Sequence, residues 1–124
     1  MWSWAALIGL LVMYVLFLSP ARYNANVKTI EIEHFNVPEN TTDAFIKVVL
    51  SEAQKKRANK YCVRYEVYRS PEDTNLFVVH QVWKTADAKT LHDATCTVHK
   101  KLTRFIEDNE IVHVNSLYQS DLNI

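Results

Sequence analysis

The sequence predicts an α+β domain of the order β-α-β-β-α-β, preceded by a single N-terminal transmembrane helix. Two runs rich in β-branched and aromatic residues, 61–69 and 76–83, flank a turn containing Pro71, Asp73 and Asn75, as in an antiparallel hairpin. Segments with apolar side chains at helical spacing lie on both sides of that hairpin. The first 18 residues carry no charged side chain, and about 17–25 apolar residues span a bilayer.

The N-terminal segment is interpreted as a membrane anchor over residues 1–20, followed by a linker over residues 21–26. Pro20 ends the apolar run, and Trp2 and Trp4 suit the interfacial layer of a membrane. A cleaved signal peptide is the alternative, but no basic segment precedes the apolar run.

The basic residues Arg22 and Lys28 follow the predicted anchor. Under the positive-inside rule they place the C-terminal domain on the cytoplasmic or matrix-like side of a single-pass protein.

The predicted domain covers residues 27–119 and begins with a strand over 27–35. Ile30 and Ile32 alternate there with Glu31 and Glu33, which predicts that the isoleucines face the helices. Thr41 or Thr42 then caps a helix with an apolar stripe. The stripe consists of Phe45, Ile46, Val49, Leu50 and Ala53.

After the hairpin, Thr85 is expected to cap a short helix through Leu91, and a longer helix follows over 95–108. The last strand is predicted over 110–118. This order is the ferredoxin-like arrangement, with both helices on one face of an antiparallel sheet. Val63, Tyr65, Val67, Val112 and Val114 are expected on the helix side, and the other face is expected to pair with a second copy in a homodimer.

Composition excludes several classes of function. The only glycine is Gly9, so the domain has no glycine-rich phosphate loop. A formal net charge of zero does not suit nucleic-acid binding. Cys62 and Cys96 lack the spacing of a zinc site, and the histidines are scattered, so no metal and no cofactor are expected.

Trp83, at the end of the hairpin, and His92, on the following helix, are the candidate catalytic residues. Trp83 has the shape to flank an aromatic substrate, although a core tryptophan is the alternative. The unperturbed pKa of histidine lies near neutrality, so His92 is suited to accept a phenolic proton; a structural histidine bonded to backbone is the alternative.

The run Tyr61-Cys62-Val63-Arg64-Tyr65-Glu66-Val67-Tyr68-Arg69, the strand ending Gln81-Val82-Trp83 and the helical His92 resemble the antibiotic biosynthesis monooxygenase (ABM) domain family. The resemblance covers most of residues 27–118. It implies a dimeric α/β barrel with a pocket between sheet and helices, and it makes Trp83 and His92 the pocket residues.

The substrate-binding residues expected beside this pair are Tyr65, Phe45 and His99. His99 is the nearest substitute for a second histidine of the family. Val79 stands where cofactor-free members of the family have a polar asparagine.

Two functions are compatible with this sequence. The first is a membrane-anchored, cofactor-independent monooxygenase for a small lipophilic aromatic or quinol, in which His92→Ala abolishes turnover. The second is a non-catalytic, single-pass accessory subunit of a membrane protein complex, which Val79 favours. A continuous cavity reaching both Trp83 and His92 would favour the enzyme, and a filled core there the subunit.

Overall fold

The computed structural model describes residues 27–120, which form one four-stranded sheet with helices on one face. In chain order the elements are β1 (Thr29–Asn36), a 3-10 turn (Glu39–Thr41), α1 (Thr42–Arg57), β2 (Cys62–Arg69), β3 (Leu76–Trp83), α2 (Ala86–Thr95), α3 (Thr97–Asp108) and β4 (Val112–Gln119). The predicted anchor (1–20) and linker (21–26) lie outside the described residues, so this division stays a prediction. Within residues 27–120, each helix is too short or too polar to cross a bilayer.

The sheet order is β2-β3-β1-β4, and every neighbouring pair is antiparallel. Placing β1 between β3 and β4 is the ferredoxin-like topology. The predicted fold class is therefore confirmed for the described residues. The predicted Thr85 cap is confirmed, because Thr85 Oγ1 accepts a hydrogen bond from the Ala88 amide (3.1 Å). The cap predicted for α1 was wrong, because the hydroxyls of Thr41 and Thr42 donate to the Pro38 and Glu39 carbonyls and neither accepts from a helix amide.

In strand β1 the glutamates face the helices. The alternation of its sequence had predicted that the isoleucines would face them. Glu31, Glu33 and Phe35 are buried, whereas Ile30 and Ile32 are half-buried on the open face of the sheet. Phe35 shares the phase of the glutamates and packs on Phe45 (ring centroids 5.2 Å apart), which holds β1 in this orientation.

The neighbouring strands follow from that orientation. Val114 pairs with His34 and is 59% exposed on the open face, so placing Val112 and Val114 under the helices was wrong. On β2, Tyr65 is buried and Val67 packs against the core, as predicted. Val63 is exposed because the register shifts between Cys62 and Arg64.

The hydrophobic core lies between the sheet and α1, toward the end of the sheet where β1 finishes. It is built on a set of buried side chains: Phe35, Val37, Phe45, Val49, Ala53, Tyr65, Phe77, Val79, Leu102 and Ile111. At the other end of the sheet the same layer is occupied by buried polar groups, and the candidate site lies there.

Candidate functional site

A cavity of about 320 Å³ opens between the helix side of β1 and β4 and the helices α2 and α3. Most of the residues that line it have polar or charged side chains; the lining residues are Glu31, Glu33, Lys89, Asp93, His99, Leu102, Thr103, Ile106, Glu107, His113 and Asn115. Ligand pockets begin at about 300 Å³, so the volume suits a small molecule. We call this space the acidic cavity.

Glu33 lines the acidic cavity and is hydrogen-bonded to a chain of buried side chains on β3. Gln81 Nε2 donates to Glu33 Oε2 (2.9 Å), and Trp83 Nε1 donates to Gln81 Oε1 (2.8 Å). His113 Nε2 lies 3.1 Å from Glu33 Oε1, and the His113 ring stacks on Phe35. Burial alone would raise the pKa of Glu33, but the hydrogen bond and charge of His113 outweigh it, so the pKa lies below the usual range.

Glu52 of α1 lies behind the cavity and binds His99, which lines it. One of its oxygens is hydrogen-bonded to His99 Nδ1, and the other accepts from the Tyr65 hydroxyl (3.3 Å). Lys56 Nζ lies 3.5 Å from Glu52 and also bonds Asp93. With Nδ1 committed to Glu52, the Nε2 atom of His99 is the imidazole nitrogen left to meet a ligand.

Lys89 neutralises part of the negative charge. Its Nζ lies 2.9 Å from Glu31 and 2.7 Å from Asp93. Burial would raise the pKa of Asp93, but Lys56 and Lys89 together lower it below its usual range. Burial and the charge of Glu33 instead raise the pKa of Glu31, because Lys89 compensates it incompletely.

Three of these groups have the spacing of a metal-ligand set. An oxygen of Glu52, an oxygen of Asp93 and a ring nitrogen of His99 lie within 4.8 Å of one another. The ammonium of Lys56 contacts both carboxylates, so it already supplies the positive charge that a metal ion would bring.

Trp83 and His92 lie together, with ring centroids 5.4 Å apart. Trp83 is fully buried, and its ring also lies 5.5 Å from Lys56 Nζ. His92 borders a different cavity, of about 340 Å³, lined by Asn59, Lys60, Tyr61, Ala88, Leu91, His92 and Thr95. The predicted pair is therefore in contact, but neither of these two cavities is lined by both side chains, because Trp83 is fully buried. By the criterion given above, this observation favours the accessory subunit.

The hydrogen bonds of His92 define its tautomer. Asn59 Oδ1 accepts from the Tyr61 amide (2.9 Å), so its Nδ2 is the atom that donates to His92 Nδ1 (3.3 Å). The proton then lies on Nε2, a buried atom with no hydrogen-bond partner among the described residues. Burial, followed by the charge of Lys56, lowers the pKa of His92, which favours the neutral ring.

The other predicted site residues are placed differently from one another. His99 lines the acidic cavity, and Tyr65 reaches the same network through Glu52. Phe45 lies in the core between Phe35 and Phe77, away from both cavities. The roles predicted for these side chains stay predictions.

The buried charged residues in and behind the acidic cavity were not predicted from the sequence, although two patterns in the sequence indicated them. Glu52 and Lys56 continue the phase of Val49 on α1, and both are about 1% exposed. Lys89 and Asp93 are four residues apart on α2, one turn from each other.

The fold and the acidic cavity define a class of protein: a ferredoxin-like domain with a polar pocket between its sheet and its helices. A family model described as antibiotic biosynthesis monooxygenase (ABM) matches residues 30–100. The chain belongs to this family. Members of the family commonly form homodimers.

Solved structures agree on the fold. SnoaB, a cofactor-independent oxygenase from Streptomyces nogalater solved as a mutant, has a TM-score of 0.66 and 16% identity, covering 78% of this chain and 96% of that one. A Bacteroides thetaiotaomicron protein of unknown function, described as a possible oxidoreductase, has a TM-score of 0.71 and 14% identity over 77% of this chain and 100% of that one. A conserved Methanosarcina mazei protein has a TM-score of 0.69 and 13% identity, covering 78% and 96%. No curated protein matches this chain.

Proposed function

We propose that this chain is a membrane-anchored, cofactor-independent monooxygenase that acts on a small, electron-rich hydroxyaromatic compound such as a quinol. One observation carries the proposal: a cavity of about 320 Å³ into which His99 projects from a hydrogen bond with buried Glu52. A carboxylate that holds one imidazole nitrogen orients the other as a base. The similarity to SnoaB, a cofactor-independent oxygenase, supports the same reaction class.

The proposed chemistry uses the side chains of the cavity in sequence. His99 Nε2 takes the phenolic proton, and Lys89, held by Glu31 and Asp93, stabilises the phenolate by its charge. A phenolate ring carbon that carries a hydrogen, para or ortho to the oxygen, binds O₂ and forms a peroxide anion, which takes the proton back from His99. Loss of water then gives the quinone. One phenol and one O₂ become one quinone and one water, so no external reductant is consumed.

The lining also suits the proposed substrate. Leu102 and Ile106 offer an apolar wall to a ring, while Asn115 and His113 offer hydrogen-bonding groups to its oxygen substituents. Trp83 does not line the cavity. Its indole N–H orients Gln81, which in turn donates a hydrogen bond to Glu33.

The first prediction separates the two candidate bases. In the full chain in mild detergent, His99→Gln is expected to lower O₂ uptake with naphthols and quinols at least about 100-fold, the usual contribution of a general base. His92→Gln is expected to keep turnover within about threefold, because His92 does not line the acidic cavity and its Nδ1 is hydrogen-bonded to Asn59.

Circular dichroism of both variants reports whether the fold is intact. If His92→Gln loses turnover and His99→Gln keeps it, the base is His92, as the sequence alone suggested. If the wild-type chain consumes no O₂ with any of these compounds, the oxygenase proposal fails.

We propose further that residues 1–20 anchor the chain and that residues 27–119 lie on the cytoplasmic or matrix-like side. The uncharged run of 18 residues and the following Arg22 and Lys28 support this arrangement. Resistance of the membrane-bound chain to carbonate extraction tests the anchor, and protease access to the domain in sealed vesicles tests its side.

A non-catalytic accessory subunit remains the second candidate, because neither of the two cavities is lined by both Trp83 and His92 and because the open face of the sheet exposes apolar side chains. Val112, Val114 and Tyr118 are each more than half exposed on it, at 63%, 59% and 54%. A patch of this kind marks a protein interface. Co-purification of a stoichiometric assembly in mild detergent, without O₂ uptake, would favour this candidate.

A further inference from the structure

The end of the sheet where the chain enters the domain is built from four segments. Residue 28 precedes β1, the loop 58–61 precedes β2, the loop 84–85 follows β3, and residue 120 follows β4. The Lys84 amide donates to the Tyr61 carbonyl (2.8 Å), and the Ser120 amide donates to the Lys28 carbonyl (3.0 Å). These bonds hold the segments together. We call this surface, with the α2 residues that border it, the entry end.

Charge is distributed unevenly between the two ends of the sheet. Exposed basic residues cluster at the entry end and in the last turn of α1. They are Lys28, Lys55, Arg57, Lys60 and Lys84. Asp87, in the first turn of α2, is an exposed acidic residue nearby. The loops of the far end are acidic, with Arg69 at the end of β2; they carry Glu39, Glu72, Asp73, Asp108 and Glu110. The formal net charge is zero, so this separation gives the domain a basic pole at the entry end.

The entry end also exposes apolar side chains. Leu91 is 66% exposed and Tyr61 is 42% exposed, and both border the cavity that contains His92. An exposed tyrosine and leucine ringed by lysines have the composition of a surface that inserts shallowly between lipid headgroups.

We propose that the entry end rests on the anionic surface of the bilayer, with Leu91 and Tyr61 at headgroup depth and Lys60 and Lys84 against the lipid phosphates. This rests on the anchor of the proposed function. Six residues, 21–26, separate the predicted span from the domain, and a fully extended chain of that length reaches only about 20 Å. A linker of this length lets the basic pole approach the bilayer to within the about 10 Å over which the membrane charge acts before salt screens it.

The proposal is tested on the full chain in vesicles of phosphatidylcholine, with and without phosphatidylglycerol. In a Cys62→Ser, Cys96→Ser background, an environment-sensitive dye is attached at Leu91→Cys, or at Glu72→Cys on the far end as the control. Brominated lipids are expected to quench the dye at position 91 several-fold more than at position 72. The difference is expected to grow when phosphatidylglycerol is present.

Charge variants test the electrostatic part. Lys60→Glu with Lys84→Glu is expected to bring quenching at position 91 down to the level of position 72. Lys47→Glu with Lys101→Glu changes the net charge equally on exposed helix positions outside the entry end and is expected to leave quenching unchanged.

Flotation of the vesicles distinguishes the two ways of failing. If the chain floats but positions 91 and 72 are quenched equally, docking of the entry end is overturned and the anchor stands. If the chain does not float with either vesicle, both are overturned. O₂ uptake in detergent reports on the oxygenase separately.

Discussion

At the scale of single residues, Asp93 has the clearest pH-dependent role. The carboxylate lies between Lys56 and Lys89, and these two charges lower its pKa although burial opposes them. The folded state therefore favours the ionised form more than the unfolded chain does. Its contribution to stability is present above the unfolded pKa and is lost as the pH falls through the lower folded pKa.

The second prediction follows from that sign. Asp93→Asn is expected to lower the free energy of unfolding by about 2 kcal/mol at neutral pH, because it leaves two lysines without their shared partner. The difference from wild type is expected to shrink below about pH 4, where the unfolded carboxyl takes up protons. Urea unfolding followed by circular dichroism at both pH values measures it. Asp87→Asn, an exposed position on the same helix, is the control, and a pH-independent difference would contradict the assignment.

Whether a charged side chain lies inside the domain was only partly readable from the sequence. Glu52 and Lys56 lie in phase with the apolar stripe of α1, so their burial follows from helical spacing. Their partners His99 and Asp93 come from α3 and α2, respectively, more than 35 residues away along the chain. A long-range pairing of this kind has no local signal, and for this reason His99 was predicted as a substrate contact but not as the partner of Glu52.

At the scale of elements, the turn after α3 has Glu110 at a position whose backbone geometry favours glycine. Glu110 has φ +52°, and the Ile111 amide donates to the Ile106 carbonyl (3.1 Å) while the Glu110 amide donates to that of Glu107 (3.4 Å). This pair of bonds is the Schellman motif, in which glycine usually occupies the left-handed position. A side chain there costs about 1 kcal/mol.

The third prediction is that Glu110→Gly raises the free energy of unfolding by about 0.5 kcal/mol, since relief of the backbone strain exceeds the extra entropy of the unfolded glycine. Thermal unfolding followed by circular dichroism checks the direction. Asp108→Gly, one residue inside the helix end, is the control and is expected to destabilise, because its backbone is helical. A lower midpoint for Glu110→Gly would contradict the prediction.

The order of the elements could be predicted because each element has its own hydrophobic periodicity. Which side chains of β1 face the helices could not be predicted in this way. Ile30 and Ile32 alternate with Glu31 and Glu33, and alternation alone assigns the isoleucines to the interior. The structure reverses this assignment because Gln81, Lys89 and His113 bind the buried carboxylates. With the carboxylates bound in this way, Phe35, which lies on the same face of β1 as the glutamates, fixes the orientation of the strand.

At the scale of the whole molecule, the reversal of β1 leaves several apolar side chains, together with His34 and His80, on the open face of the sheet. Ile30, Ile32, Val78 and Val82 lie on this face beside Val114. We infer that a second copy of the chain covers it, in keeping with the homodimers common in the family. Arg64 and Glu66, 3.5 Å apart at one edge, would lie at the polar rim of such an interface.

The fourth prediction tests this interface. Val114→Lys places a lysine from each copy into the apolar face, and burying two unpaired charges is expected to weaken dimerisation about 100-fold. Sedimentation velocity of the full chain in mild detergent measures the mass. Leu50→Lys, a similarly exposed apolar residue on α1, is the control and is expected to keep the dimer. If Val114→Lys and wild type share one dimeric mass, the open face is not the interface. If the wild-type chain is instead found at the mass of a larger assembly, the face is covered by a different subunit, and the accessory role becomes the better explanation of the same surface.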